Sequence, residues 1–341
     1  MKIHFLHQET GMSFFLEKLF NNQPLKVTML GPSGVGKTSM LAAMYDQFDT
    51  ISQDLQLQAD EETESILDKR LQDLKSMVGD SIKSEEGLAG TAVDDPIFHR
   101  FQLGEIGAKP VLKIQFQDYP GGWIDTKNKD KDKIDKLEKV KTLIRESAAI
   151  VVPIDAARLM EKDGKYHNEY NKPDRINDLL KTVYENLDFP RLVILAPVKC
   201  EKYMQDDPSK LFKRVEEGYT EVLNRLNSEK LLPKVAVVIT PVQTVGNIIF
   251  SRIEENEDDQ PTFCYRRCSP DESYQPKDTE IPLKVLLSFL VKLHLDKKQN
   301  FWPNRILSIF SKNASLRNAV SRFSYGIEDK IEIVQGNHLL R

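Results

Sequence analysis

Apolar runs with β-forming residues recur along the chain at Leu25 to Leu30, Ile97 to Leu103, Val111 to Phe116, Ala148 to Ile154, Leu192 to Ala196 and Val235 to Ile239. Between them the period changes. Leu211, Val215, Tyr219, Val222 and Leu226 follow one another at spacings of four, four, three and four, which puts them on one helix face. Leu283, Leu286, Leu287, Leu290 and Leu293 mark a second helix. Parallel strands need crossover connections, and crossover helices cover both faces of the sheet they join. The pattern therefore predicts an α/β fold of three layers, with a mainly parallel sheet at its centre. No internal repeat is visible.

Three stretches interrupt this plan. Residues of about 49 to 95 are polar, helix-forming from Glu61 to Met77, and end in GLAGTAVDD, so they are expected to be an insert that reaches over a site. DTKNKDKDKIDKLEKVK at 125 to 141 mixes both charge signs and reads as a solvated helix face. EENEDDQ at 254 to 260 reads as a surface loop. The expected division is a lead-in segment at 1–24, a main domain at 25–296 and a C-terminal extension at 297–341. The extension carries an aromatic, basic run at Phe301 to Phe310, read as core packing ahead of partner docking or contact with a membrane surface.

Composition narrows the class. A chain of 341 residues with 40% hydrophobic content can bury a full core. A net charge of −4, with both signs dispersed, gives no general electrostatic case for nucleic acid or an anionic membrane. The first residues carry His4, His7 and Glu9 within an apolar stretch and do not read as a signal peptide, and no apolar run is long enough to span a bilayer. Cys200, Cys264 and Cys268 are too few for a disulfide framework, and the histidines add no ligand spacing around them. A reducing, cytoplasmic setting is expected.

The informative chemistry begins at Gly31-Pro32-Ser33-Gly34-Val35-Gly36-Lys37-Thr38, which fills the pattern G-x-x-x-x-G-K-[ST]. It follows the strand LKVTML and opens the helix that starts at Ser39. Its glycines allow a tight turn whose amides converge on phosphate oxygens, reinforced by the helix N-terminus. Lys37 is expected to reach the β- and γ-phosphates, and the Thr38 hydroxyl to hold Mg2+. Further along, the strand VLKIQF leads into Gln117-Asp118-Tyr119-Pro120-Gly121-Gly122. Asp118 at the strand end is placed to hold Mg2+ through water. The Gly121 amide is placed to contact a γ-phosphate and to lose that contact on hydrolysis, which is how a switch works. An AAA+ type ATPase would place Glu where Tyr119 stands, and no LSGGQ-like signature is present.

In these residues the chain resembles the GTPase superclass of P-loop proteins. GPSGVGKT is similar to its first motif and DYPG to its D-x-x-G motif, and Thr91 in GLAGT resembles the threonine that closes over Mg2+. VKCE is similar in placement to the base-reading N-K-x-D motif, with Val198 in place of Asn and Glu201 in place of Asp. The resemblance implies that Lys199 lies along the purine and that Glu201 accepts from the guanine N1 and N2 donors. It also implies that TPVQTVG is the loop whose backbone touches the guanine oxygen. More narrowly, the set DYPGG, IDA, VKCE, TPVQTVG and IPLKVLLSFL resembles the double-GTPase-type proteins of bacterial conflict systems, over residues of about 25 to 296. It implies GTP and Mg2+ as ligands and a nucleotide-dependent regulator in a multi-protein defence or signalling complex; help with hydrolysis is expected from a partner or a second copy of the chain. Gly122 stands where Ras-like GTPases carry the glutamine that orients water, so slow hydrolysis is expected. An ATP-dependent enzyme or kinase, and a module that holds nucleotide without turnover, are the competing readings.

Overall fold

The computed structural model describes residues 24–77, 82–83, 95–124, 131–255, 260–269, 273–295 and 313–341. Thr91, the lead-in segment up to residue 23 and the run at 301–310 lie outside them. In chain order the strands are β1 (Leu25–Met29), β2 (Leu55–Ala59), β3 (Ile82–Lys83), β4 (Ile97–Glu105), β5 (Leu112–Asp118), β6 (Ala149–Asp155), β7 (Arg191–Val198), β8 (Val235–Ile239), β9 (Ile248–Glu255), β10 (Pro261–Arg267) and β11 (Glu332–Gln335). The helices are α1 (Lys37–Ile51), α2 (Glu61–Lys75), α3 (Lys131–Glu146), α4 (Ala156–Met160), α5 (His167–Tyr170), α6 (Pro173–Val183), α7 (Glu201–Asp206), α8 (Pro208–Gly218), α9 (Thr220–Leu226), α10 (Ile281–Leu295) and α11 (Ala314–Phe323).

Eight strands form one sheet in the order β11-β8-β7-β6-β1-β5-β4-β2. The five from β8 to β5 run parallel, while β4, β2 and β11 are antiparallel to their neighbours. The side-chain period of two sorts the central strands between two cores. On β6, Ala149 and Val151 join Met40, Leu41 and Met44 of α1 and Leu286 and Phe289 of α10 on one face. Ile150, Val152 and Ile154 join Ile144 of α3, Ile176 and Leu180 of α6 and Leu211 of α8 on the other. These strands are apolar throughout because both of their faces are covered. The architecture is the three-layer α/β fold that the alternation of strand and helix patterns predicts.

Several boundaries differ from the sequence reading. The insert is partly built into the domain: β2 extends the main sheet by pairing with β4, and α2 follows an Asp60 cap whose side chain accepts from the Thr63 amide at 2.9 Å. The helix expected to run from Leu211 to Leu226 is two helices that meet at Gly218 and Tyr219. Glu254 and Glu255 belong to β9, not to a loop. β9 and β10 form a hairpin, and β3 pairs with β10 to complete a second, three-stranded sheet. The last part of the chain also belongs to the core, since Phe323 of α11 packs on Phe48 of α1 with ring centroids 5.2 Å apart and β11 pairs with β8. Among the described residues no helix is long and apolar enough to cross a membrane.

Candidate nucleotide site

The parallel strands deliver their C-terminal ends to one edge of the sheet, which is where open α/β folds bind ligands. Met29 at the end of β1 is in register with Asp118 on one side and Val151 on the other. Asp155 is in register with Val198. The loops that follow β1, β5, β6, β7 and β8 therefore gather at a single rim, and they carry the P-loop residues, Asp118, Gly121 and Lys199 singled out in the sequence.

Gly31, Ser33, Gly34, Val35 and Gly36 form the turn between β1 and α1. Gly34 and Gly36 take φ of 74° and 111°, a region that L side chains rarely occupy. A Cβ on Gly36 would also meet Val198 of β7 at 3.3 Å, so the turn is seated directly on the end of β7. Gly36 caps α1 without a side-chain hydrogen bond, and no acid stands in the first turn that contains Lys37, Thr38 and Ser39. The helix thus presents its N–H groups and positive dipole end toward the turn.

Lys37 and Asp118 are brought together beneath it. The Lys37 ammonium donates to the Gly31 and Pro32 carbonyls, both at 3.1 Å, and lies 3.6 Å from Asp118 Oδ1. Thr38 Oγ1 donates to Asp118 Oδ2 at 3.0 Å. Asp118 Oδ1 is buried and accepts no hydrogen bond among the described residues. A hydroxyl beside a buried carboxylate oxygen that still has its lone pairs is a donor set that suits a hard divalent cation. Beyond Asp118, the Gly31 amide donates to the Tyr119 hydroxyl at 3.1 Å. Gly121 backs onto the Pro32–Ser33 peptide so closely that a Cβ there would fall on the Ser33 nitrogen. The turn Gly121–Ile124 then buries Trp123, with the Lys139 ammonium 5.5 Å from its ring centre.

On the other flank, Lys199 adopts φ of 53° and reaches back to the turn. Its ammonium donates to Asp155 Oδ2 at 2.6 Å and to the Gly34 carbonyl at 3.4 Å. Asp155 is itself fixed: Oδ1 accepts the Arg158 amide as the cap of α4, and Asn171 pairs with its backbone N–H and carbonyl. Glu201 opens α7 but points into the protein, 1% exposed, where Oε1 accepts the amides of Val245 at 3.1 Å and Gly246 at 3.3 Å. Burial pushes its carboxyl above the usual range, against the lowering effect of those amides. His99 on β4 is also buried, and neither ring nitrogen has a hydrogen-bond partner among the described residues. Desolvation holds its pKa below the ordinary value, with Asp118 pulling the other way.

Sequence reasoning missed the Tyr119 hydroxyl, the Asp155 anchor for Lys199 and the inward turn of Glu201. Asp155 left a signal, an acid at the end of an apolar strand beside the turn. The other two depend on how separate loops meet.

A glycine turn leading into an uncapped helix, a Thr-Asp pair under it and a glycine packed on it define a P-loop nucleotide-binding protein of the GTPase type. Residues 26–256 match the Double-GTPase 2 family, and the chain belongs to that family. Among solved structures, it is similar to the GTPase-like domain of S. cerevisiae Ski7 bound to GTP, at 14% identity and a TM-score of 0.39 over 72% of this chain. It covers 45% of that Ski7 chain, less than half its length. It is also similar to the signal recognition particle receptor SRb-GTP/SRX complex from Chaetomium thermophilum, at 16% identity and a TM-score of 0.40, over 66% of this chain and 93% of that one. Likenesses this distant carry no functional argument. No curated protein matches the chain.

Proposed function

We propose that this protein is a Mg2+-dependent, GTP-binding switch that hydrolyses GTP slowly and passes its nucleotide state to a partner protein. The observation that carries this reading is the contact of Gly121 with the Pro32–Ser33 peptide, directly above the Lys37, Thr38 and Asp118 cluster. A triphosphate held by the turn amides and Lys37 would bring its γ-phosphate to the place where Gly121 rests. Its presence or absence would then move the Pro120–Gly122 segment. Lys37 stabilises charge on the β- and γ-oxygens, and the turn amides fix the phosphates for in-line attack by water. Thr38 and Asp118 would hold Mg2+, which when bound neutralises charge on the same oxygens; Thr91 is the proposed third contributor. Lys199, tied to the Gly34 carbonyl, would lie along the purine.

Family membership supports GTP as the nucleotide, with ATP the alternative to be tested. The resemblance to double-GTPase-type proteins of conflict systems supports a place in a bacterial defence or signalling complex, acting in the cytoplasm on a protein partner or a second copy of the chain. The test is direct binding of fluorescent GTP and ATP with and without Mg2+. Wild type should prefer GTP and need Mg2+ for full affinity. Lys37→Ala should lose binding by about 10- to 100-fold or more while remaining folded, because removing a charged hydrogen-bond partner of a phosphate costs about 1.5–3 kcal/mol. A folded Lys37→Ala protein with unchanged affinity would falsify the proposal.

A further inference from the structure

We infer that Glu201 is a positioning residue, which holds the base-side loop Gln243–Asn247 in its shape and does not itself pair with the base. This rests on the reading of the rim as a purine nucleotide site. The geometry is specific. One carboxylate oxygen accepts two successive amides, those of Val245 and Gly246, and the residue is 1% exposed. Reading the two adjacent donors of guanine takes both carboxylate oxygens, and here Oε1 is already engaged by two loop amides.

The loop explains why such a strut is needed. Gly246 has φ of 80° and is pressed against the Gln275 carbonyl, where a Cβ could not fit. The loop is tied on its far side by the Gln243 amide to the Lys277 carbonyl at 3.0 Å, the Lys277 amide to the Gln243 carbonyl at 2.9 Å and the Gln275 amide to the Val245 carbonyl at 3.1 Å. Asn247 adds a side-chain hydrogen bond to the Ser273 carbonyl. On the near side Glu201 supplies the acceptor for the two amides that the turn at Gly246 brings together. Without it, two buried N–H groups lose their partner and the loop gains a reason to rearrange. Through Val242, which bridges to Val198, the loop is continuous with the strand end that carries Lys199. Its shape thus sets one wall of the base pocket, and Glu201 acts on the base only through that wall.

The two roles make opposite demands on a glutamine at this position. A strut needs one oxygen, which glutamine keeps. A reader of guanine needs two acceptors; glutamine would offer one acceptor and one donor, a pattern that opposes guanine and suits xanthine, whose second position is a carbonyl.

The experiment measures affinity of the full chain, with Mg2+, for fluorescent GTP, ATP and XTP in wild type, Glu201→Gln and Glu201→Ala, each below its unfolding temperature. Glu201→Gln should keep GTP affinity within about threefold and gain nothing for XTP, while Glu201→Ala should lose about tenfold or more by the same factor for every nucleotide that wild type binds, since the loss is of loop shape and not of a base contact. A Glu201→Gln protein that loses GTP tenfold while gaining XTP overturns the inference. If wild type binds no purine nucleotide, the functional proposal fails by itself. Thermal unfolding then decides the strut: a lower midpoint for Glu201→Ala that Glu201→Gln restores supports it, and equal midpoints for all three refute it.

Discussion

Gly36 and Gly121 are glycines for different reasons, and the difference predicts how each fails. Gly36 needs a backbone conformation; Gly121 needs space. A Cβ at Gly121 meets backbone atoms of Pro32 and Ser33, which no rotamer change can move aside. Gly121→Ala must therefore lift the turn off the P-loop, an overpacking effect of about 1–3 kcal/mol. Differential unfolding of the nucleotide-free protein should show that loss. GTP affinity should change less than stability if, as proposed, the turn shifts for the triphosphate in any case. Equal stability of Gly121→Ala and wild type would mean that the contact is not rigid. The P-loop residues were legible in the sequence because their chemistry is local: the spacing of glycines, lysine and threonine dictates the turn by itself. Glu201 was legible as a position but not as a direction. Only the meeting of α7 with the loop after β8 shows that its carboxylate faces amides, and that meeting joins residues 44 and 45 positions apart.

At the scale of elements, runs of apolar residues in doubly covered strands were the most readable part of the chain. Elements whose burial is one-sided were less so. β2 alternates Leu55, Leu57 and Ala59 with Gln56 and Gln58, the pattern of an edge strand, yet its polar surroundings hide it. The break at Gly218 also has a tertiary cause. His167 donates from Nε2 to the Gly218 carbonyl at 3.1 Å, and a Cβ at Gly218 would lie 2.9 Å from His167 and Leu159. Periodicity carries through such a kink, because both halves still face the core. α11 shows what an element outside the matched family region contributes. Phe323 packs on Phe48, and Leu316 and Val320 are buried in the same cluster as α10. Phe323→Ala should cost about 3 kcal/mol, at the low end for a buried phenylalanine, measured as a shift in denaturant midpoint with the slope unchanged. A shift below about 1 kcal/mol would show that α11 is an appendage and not part of the core.

At the scale of the whole molecule, the proposed site draws its phosphate turn from one loop, a carboxylate from a second and its base wall from two more. Among the described residues, no side chain identified there is placed to orient an attacking water. Gly122 has no side chain, and Trp123 is turned into the core. Missing one water-orienting group or arginine finger costs about 10³–10⁵ in rate, so turnover by the isolated chain should fall below about 0.1 per second. Single-turnover GTP hydrolysis at several protein concentrations checks this. Rates that rise with concentration would point to a second copy as the source of the missing group. A rate of several per second, independent of concentration, would place that group within one chain.

Trp123 gives the fold a built-in optical probe. The chain has two tryptophans, and the other, Trp302, lies far along the sequence. Trp123 lies two residues after Gly121, enclosed by the core and capped by the Lys139 ammonium. Indole emission is sensitive to a nearby cation and to water, so any tilt of this turn alters both influences on the ring at once. In a Trp302→Phe background the protein's own fluorescence becomes a single-site signal of that turn, readable in real time without a label.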